Sequence, residues 1–444
     1  MRLTAGLMMG MILLISIAGP GFAKNAKTQI QFWYGLKGYL GEQVQNVCDR
    51  FNAAHTAYEV ICVGKGDYDQ ALQAGIAAYR AKKHPHILQG VDRATATLMM
   101  SGATYPAYQL MADHGYEVDW DDYIEGIRHY YASADGQLLS FPFNATTPVT
   151  FINLEMYVKV GIKQPAKTWA EFDEILRKLK AAGIACPIAF DTYLWIHLEQ
   201  FSAIHDQPIA TRGNGYEGLD AEYVFNRGPF VEHVKRLKRW LADGLGVVVK
   251  DAFGVGIRDA FAAGKCGHYF GSMSGHGVVS RDAKMPWTVA FVPHNAGVTP
   301  RNTVAGGSSL WTLLGHPQEE YQAVAAFFDF LRSKASQEFW CTVTGYTPVT
   351  KSVYQYLVDK GFYSQAPYKG REVAIESLRR TESGRHSRGI RLGNWVQARA
   401  ALQEEIDKAM AGEKSVQQAL DDAVRRGNVL LRRFEKQYKG KSLP

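Results

Sequence analysis

A chain of 444 residues is too long for one hydrophobic core, which predicts two lobes. Its 46% apolar residues and mean hydropathy of −0.20 exclude both a disordered chain and a multi-spanning membrane protein. The net charge of +7 at pH 7 is spread along the chain rather than gathered into runs, which argues against a nucleic-acid surface.

The first segment reads as a targeting signal. Arg2 supplies a positive start, Leu7 to Ala18 an apolar stretch, and Gly21-Phe22-Ala23 a small-x-small cleavage site, so residues 1–23 are expected to be a signal peptide. The apolar part is too short to span a bilayer, and no cysteine follows the cleavage point to carry a lipid. The mature chain is therefore expected free in the periplasm, with no membrane anchor.

Next, Gln29 to Tyr34 alternates like a strand, and Val44, Val47, Cys48 and Phe51 recur at helical spacing. Tyr58 to Val63 reads as a strand, Asp69 to Ala81 as a helix, and Ile87 to Val91 as a third strand. Strand-helix-strand-helix-strand is the grammar of a parallel, doubly wound sheet, whose ligands bind beyond the carboxyl ends of the strands. Tyr68, after Gly64-Lys65-Gly66, and Asp92, after the third strand, stand at such ends.

The prolines of Phe141-Pro142-Phe143-Asn144-Ala145-Thr146-Thr147-Pro148 force extended backbone, as a crossing between lobes needs. Thr168 and Glu171 form a capping box for a helix that buries Trp169, Phe172, Leu176 and Leu179 and stops at Gly183. Trp195 and Glu199 fall on another helix. Phe261 to Tyr269 leads into Gly271-Ser272-Met273-Ser274-Gly275, and Val289 to Pro293 reads as a strand returning to the first lobe. In Val304 to Trp311 the apolar run is broken by Gly306, Gly307, Ser308 and Ser309, which bares backbone N–H groups and adds hydroxyls suited to a phosphate or sugar. Helices are expected over Pro317 to Leu331 and Val396 to Met410, with a last one capped by Ser415 and Gln418. Five scattered cysteines give no metal-ligand spacing. An oxidising compartment permits a disulfide, Cys48 and Cys62 being the nearest pair, and at least one thiol stays unpaired.

Several of these segments together resemble the extracellular solute-binding proteins of ABC importers, and within them the branch that binds glycerol phosphates. The motifs are Pro165-x-Lys167-Thr168-Trp169, Gly306 to Trp311, Thr344-Gly345-Tyr346-x-Pro348-Val349, Gly75 to Arg80, Pro142-Phe143-Asn144, Arg391 to Asn394 and Arg425 to Lys436. The resemblance implies an α/β, two-lobed periplasmic binding protein fold. Each lobe would be a doubly wound, mainly parallel sheet flanked by helices, and hinge strands would join them. Residues 24–143 with 297–345 would form the first lobe, and 144–296 with 346–444 the second. A monomer would capture glycerol 3-phosphate or a glycerophosphodiester such as glycerophosphocholine. It would pass the ligand to transmembrane permease subunits with their ATPase, without cofactor, metal or catalysis.

The ligand contacts carry over by the same resemblance. Tyr68 and Asp92 would hold glycerol hydroxyls and Gly307 would present its N–H. Thr146, Ser272, Tyr346 and Arg399 would surround the phosphate, and Trp195 would be an apolar wall. Arg399 could bond a phosphate bidentately. Asp92 stands where the family has Glu, Thr146 where it has Ser, and Thr192 where it has the first of two tryptophans.

Each residue also has a plainer role. By spacing Arg399 sits on a solvated helix face, Asp92 caps a helix, Ser272 is a turn residue, and Tyr68, Tyr346 and Trp195 are core or rim aromatics. His84-Pro85-His86 invites a metal, but no carboxylate has a ligand's spacing from it. A sugar or oligosaccharide binder of the same superfamily is the alternative, and a secreted glycerophosphodiester hydrolase the more distant one. With one Arg and one Asp in the expected pocket, a singly charged diester should suit it better than a dianionic monoester.

Overall fold

The computed structural model describes residues 27–444, so the expected signal peptide lies outside the described residues. The opening alternation forms as read: strand β1 (Thr28–Tyr34), helix α1 (Gly38–Ala54), β2 (Tyr58–Gly64), helix α2 (Tyr68–Arg80) and β3 (Ile87–Val91). Both β2 and β3 run parallel to β1, and α1 and α2 carry the chain between them.

The same sheet then takes in β4 (Thr104–Tyr105), β5 (Phe141–Thr146) and, from far along the chain, a strand at Gly306–Leu313. A second sheet holds β6 (Pro148–Asn153) in its centre, and β7 (Ile188–Ala189) with β8 (Gly246–Val247) is a separate parallel pair. On either side of β6 lie β9 (His268–Ser272) and β10 (Trp287–Ala290), and the Gly306–Leu313 strand is β11.

The expectation of a mainly parallel sheet in each lobe holds only for β2-β1-β3. β11 runs antiparallel to β3, β4 and β5, and every pairing of β6 is antiparallel. The reason is connectivity. Parallel neighbours need a covering crossover helix, whereas β5 leaves the first sheet towards the second and β11 returns from the second side, so the two run antiparallel. The segment expected as a strand over Val289–Pro293 is shifted too: β10 ends at Ala290 and pairs with β6, inside the second sheet.

Only Thr147 separates β5 from β6, so the chain passes from one sheet to the other in a single residue. Both strands are buried along their whole length. Pro142 has no N–H for the ladder, and the β5–β11 register shifts between Ser308 and Ser309 where it lies.

Aromatic cores fill the two halves. Phe32, Phe51, Phe141, Phe327 and Phe328 pack under the first sheet, and Trp169, Phe172, Trp240, Phe270 and Trp395 under the second. Thr168 and Glu171 close the expected capping box, and Ser415 accepts from the Gln418 N–H. Disulfides join Cys48 to Cys62 and Cys186 to Cys266, leaving Cys341 free and buried. No helix among the described residues is long and apolar enough to cross a membrane.

Candidate functional site

The junction between the sheets brings together Tyr68 with Tyr346, Thr146 with Ser272 and Asp92 with Gly307, with Trp195 against Gly306 and Arg399 within electrostatic reach of Asp92. Asp67 caps α2 through the Gln70 N–H (3.0 Å), which sets Tyr68 in the first turn. The Tyr68 hydroxyl accepts from Asn144 Nδ2 at 2.8 Å and lies 3.4 Å from the Tyr346 hydroxyl. Tyr346 stacks on Trp340 with centroids 5.6 Å apart. Asn144 had no signal in the sequence beyond its place in a motif, yet it is the hub here. Its Oδ1 accepts from Gln89 Nε2 at 3.1 Å and from the Ser308 hydroxyl.

Gly307 follows on β11 with φ +106°, a left-handed conformation that glycine adopts freely. A Cβ there would also lie 1.9 Å from the Asn144 carbonyl oxygen, so no other residue fits. The Gly307 N–H donates to Asp92 Oδ2 at 3.2 Å, and the Arg93 N–H to Asp92 Oδ1 at 2.5 Å. Burial raises the Asp92 carboxyl above its ordinary value, against the pull of Arg93 and Arg399.

From the other side come hydroxyls. Thr146 Oγ1 lies 2.9 Å from Ser272 Oγ, which is 2.7 Å from Ser274 Oγ. The Ser274 N–H donates to Ser272 Oγ at 3.1 Å and to Thr146 Oγ1 at 3.3 Å. Thr146 ends β5 and Ser272 ends β9, so the strand termini deliver both.

Arg399 overturns its helix-face reading. It is 8% exposed, because the helix Trp395–Met410 turns this side towards the junction. Its Nη1 donates to Glu199 Oε1 at 3.0 Å, and its guanidinium lies 4.9 Å from the Tyr193 ring centroid. Burial works against the charge, but Glu199, Tyr193 and Asp92 outweigh it and hold the arginine firmly protonated.

Glu199 is the residue that sequence reasoning passed over. It sits in a π-helical turn, Trp195–Gln200, a local widening often found at functional sites. Its side chain is 1% exposed and its Oε2 has no hydrogen-bond partner. Burial raises its carboxyl to about 7, Arg399 opposing and Asp92 adding to the rise. The same turn points Trp195 at β11, with its Nε1 unpartnered. Thr192 turns away, bonded to Gln403 Nε2 (2.7 Å) and Asp407 Oδ1 (3.2 Å), and Tyr193 is the second aromatic beside Arg399.

The metal reading of His84-Pro85-His86 changes as well. A carboxylate does reach it from far along the chain: His86, His316 and Glu320 bring ligand-type atoms within 4.8 Å of one another. The Gln31 N–H donates to His86 Nδ1 at 2.9 Å, which leaves the ring proton on Nε2, 2.6 Å from Glu320 Oε2. That is a neutral histidine donating to a carboxylate, and a metal would need the lone pair that this proton occupies.

Residues 46–368 match the bacterial extracellular solute-binding protein family. The chain belongs to that family. It is 38% identical over 425 residues to the sn-glycerol-3-phosphate-binding periplasmic protein UgpB of Yersinia pseudotuberculosis, covering 94% of this chain and 96% of that one. To UgpB of Salmonella typhimurium it is 37% identical over 432 residues, covering 96% and 98%. Among solved structures it is similar to UgpB from Mycobacterium tuberculosis in complex with glycerophosphocholine, with TM-score 0.76 and 18% identity over 92% of this chain and all of that one. It is also similar to maltose-bound MalE3 of T. maritima, with TM-score 0.73 and 16% identity over 90% of this chain and 99% of that one. These solved structures share the two-lobed α/β architecture, so that part of the expected fold holds, with mixed rather than mainly parallel sheets.

Proposed function

We propose that this protein is the periplasmic solute-binding component of an ABC importer, closing on glycerol 3-phosphate or a glycerophosphodiester and passing it to the membrane permease. The observation that carries the reading is Arg399, a buried guanidinium paired with Glu199 and within electrostatic reach of Asp92, in a chain 38% identical to glycerol-3-phosphate binders. Arg399 would hold the phosphate with Thr146, Ser272, Ser274 and Tyr346. Asp92, Tyr68 and the Gly307 N–H would hold the glycerol end, and Trp195 and Tyr193 would wall the group beyond the phosphate. The lobes would divide within β5–Thr147–β6, with 24–143 and 297–345 on one side and 144–296 and 346–444 on the other. The protein would act as a monomer.

Binding without catalysis is the better-supported chemistry. The Thr146, Ser272 and Ser274 hydroxyls bond to one another and to a backbone N–H, and none of their described hydrogen bonds is to a histidine or carboxylate base. The test is a thermal-shift screen with glycerol 3-phosphate, glycerophosphocholine and maltose, since a ligand of the folded state raises the melting point. The phosphate esters are expected to raise it. A rise with maltose alone overturns the reading in favour of a sugar binder, and release of choline from glycerophosphocholine overturns it in favour of a hydrolase.

A further inference from the structure

The charges at the junction do not balance for an anionic ligand. Arg399 is a buried cation within electrostatic reach of Asp92, and it is already paired with Glu199 at 3.0 Å. Asp92 adds a second buried carboxylate. Arg93, the other nearby cation, is engaged with Asp69 at 2.6 Å. The remaining titratable groups that face Glu199 are the phenols of Tyr130 and Tyr223, both buried and pushed well above their ordinary range by that burial. Neither can neutralise an acid. A phosphodiester without a cationic group, seated on Arg399, would therefore set three buried negative charges against one guanidinium, which low-dielectric surroundings do not tolerate.

We propose that Glu199 is a proton-accepting specificity residue of the ligand site: an anionic ligand takes over the Arg399 guanidinium, and Glu199 binds one proton from solvent as it gives up that pairing. The inference rests on the phosphate-ester reading of the site. Before binding, Arg399 and Glu199 form a neutral pair. Afterwards Arg399 and the phosphodiester form one, and the protonated Glu199 is neutral. One ligand and one proton enter together, so the junction's net charge is unchanged. The geometry suits the exchange. Glu199 Oε2 is buried without a partner, so one oxygen is free to carry the proton without breaking an existing bond. The neighbouring Gln200 holds the backbone of Val304 through both ends of its amide (3.1 and 3.0 Å), which keeps the turn in place when the ion pair parts.

Selectivity follows from this. A dianionic monoester would need a second proton or a further cation, whereas a diester needs only the one that Glu199 accepts. Affinity for a diester then becomes a function of pH although the ligand itself does not titrate near neutrality.

The experiment is calorimetry of binding by glycerophosphoglycerol, a diester with no cationic group, in two buffers of different ionisation enthalpy, at pH about 8, which counts protons taken up per ligand. The wild type is expected to take up between about half a proton and one, and to lose affinity by up to about tenfold per pH unit above pH ~7. Glu199→Gln is expected to take up none, to show a flat pH profile, and to bind more tightly than the wild type at the alkaline end. Binding by the wild type with no proton uptake overturns the proposal, and so does undiminished uptake by Glu199→Gln, which would assign the proton to Asp92. The wild-type measurement stands whether or not the variant folds. No binding heat at any pH from glycerophosphoglycerol, glycerophosphocholine or glycerol 3-phosphate overturns the ligand reading itself, whereas binding of glycerophosphocholine alone overturns the proposal, because its ammonium would then stand in for the proton.

Discussion

Gly306 stands where Trp195 leaves no room for a side chain. A Cβ on Gly306 would lie 2.2 Å from Trp195 Cζ2 and 2.5 Å from Cε2. The contact ties the start of β11 to the π-helical turn that carries Glu199.

Gly306→Ala is expected to push β11 and the Trp195 turn apart at the site. Overpacking of this kind costs about 1–3 kcal/mol. Glycerophosphocholine affinity should fall roughly 5- to 150-fold by calorimetry, at that same cost. In a cycle with Trp195→Ala the two losses should be less than additive, because the atoms nearest to the new Cβ all belong to Trp195. Additive losses in the cycle would show that Gly306 acts through something other than Trp195.

Arg399→Ala should weaken ligand binding by about 2–5 kcal/mol, since it removes the charge that faces the phosphate and leaves Glu199 unpaired. Arg399→Lys should restore only part, because an ammonium cannot offer a planar fork. Near-wild-type affinity in Arg399→Ala would return the residue to a purely structural role.

Glu405 gives a separate pH signature. It is buried, and Lys414, Lys408 and Arg426 outweigh that burial and hold its carboxyl at about 2. A depressed carboxyl stabilises the fold above its unfolded value and loses that contribution as pH falls towards its folded one. Stability should thus drop by about 1–3 kcal/mol on going from pH ~5 to ~2, after discounting the partly exposed cations. Glu405→Gln should lose a similar amount at neutral pH and show an acid-induced drop smaller than the wild type's by that amount. Urea midpoints at the two ends of that range decide it.

The Cys186–Cys266 bridge links the residues before β7 to those before β9 across 80 positions. Replacing both with Ser should lower stability by roughly 2–5 kcal/mol, read from the urea midpoint with ligand absent. An unchanged midpoint would mean that the surrounding core already restrains the loop in the unfolded chain.

Local pattern carried the elements well. The β1-α1-β2-α2-β3 run and the Thr168–Glu171 box are set by spacing within a few residues, which a sequence displays directly. Partnership was harder. Nothing near Gly306 says that β11 lies between β3 and β5, nor does anything near Val289 say that its strand stays with β6, because periodicity marks a strand without choosing its neighbour. The hidden site residues share that cause. Glu199 lies in a run of buried residues and acquires its meaning only from Arg399, 200 positions away, just as His86 acquires Glu320. Motif resemblance reached Arg399 where helical spacing alone pointed to solvent.

Cys341, the odd thiol, shapes what happens once the fold is lost. Burial pushes it up to about 12, Arg371 opposing and Glu338 assisting, so in the native protein it offers almost no thiolate to attack a disulfide. Unfolding returns it to ordinary thiol acidity beside two intact bridges. Thiol–disulfide exchange then scrambles the pairing, faster at alkaline pH where thiolate is plentiful. Heated and cooled at acidic pH the chain should regain its native bridges, while the same cycle above pH ~8 should trap mispaired chains, so one buried sulfur decides whether denaturation is reversible.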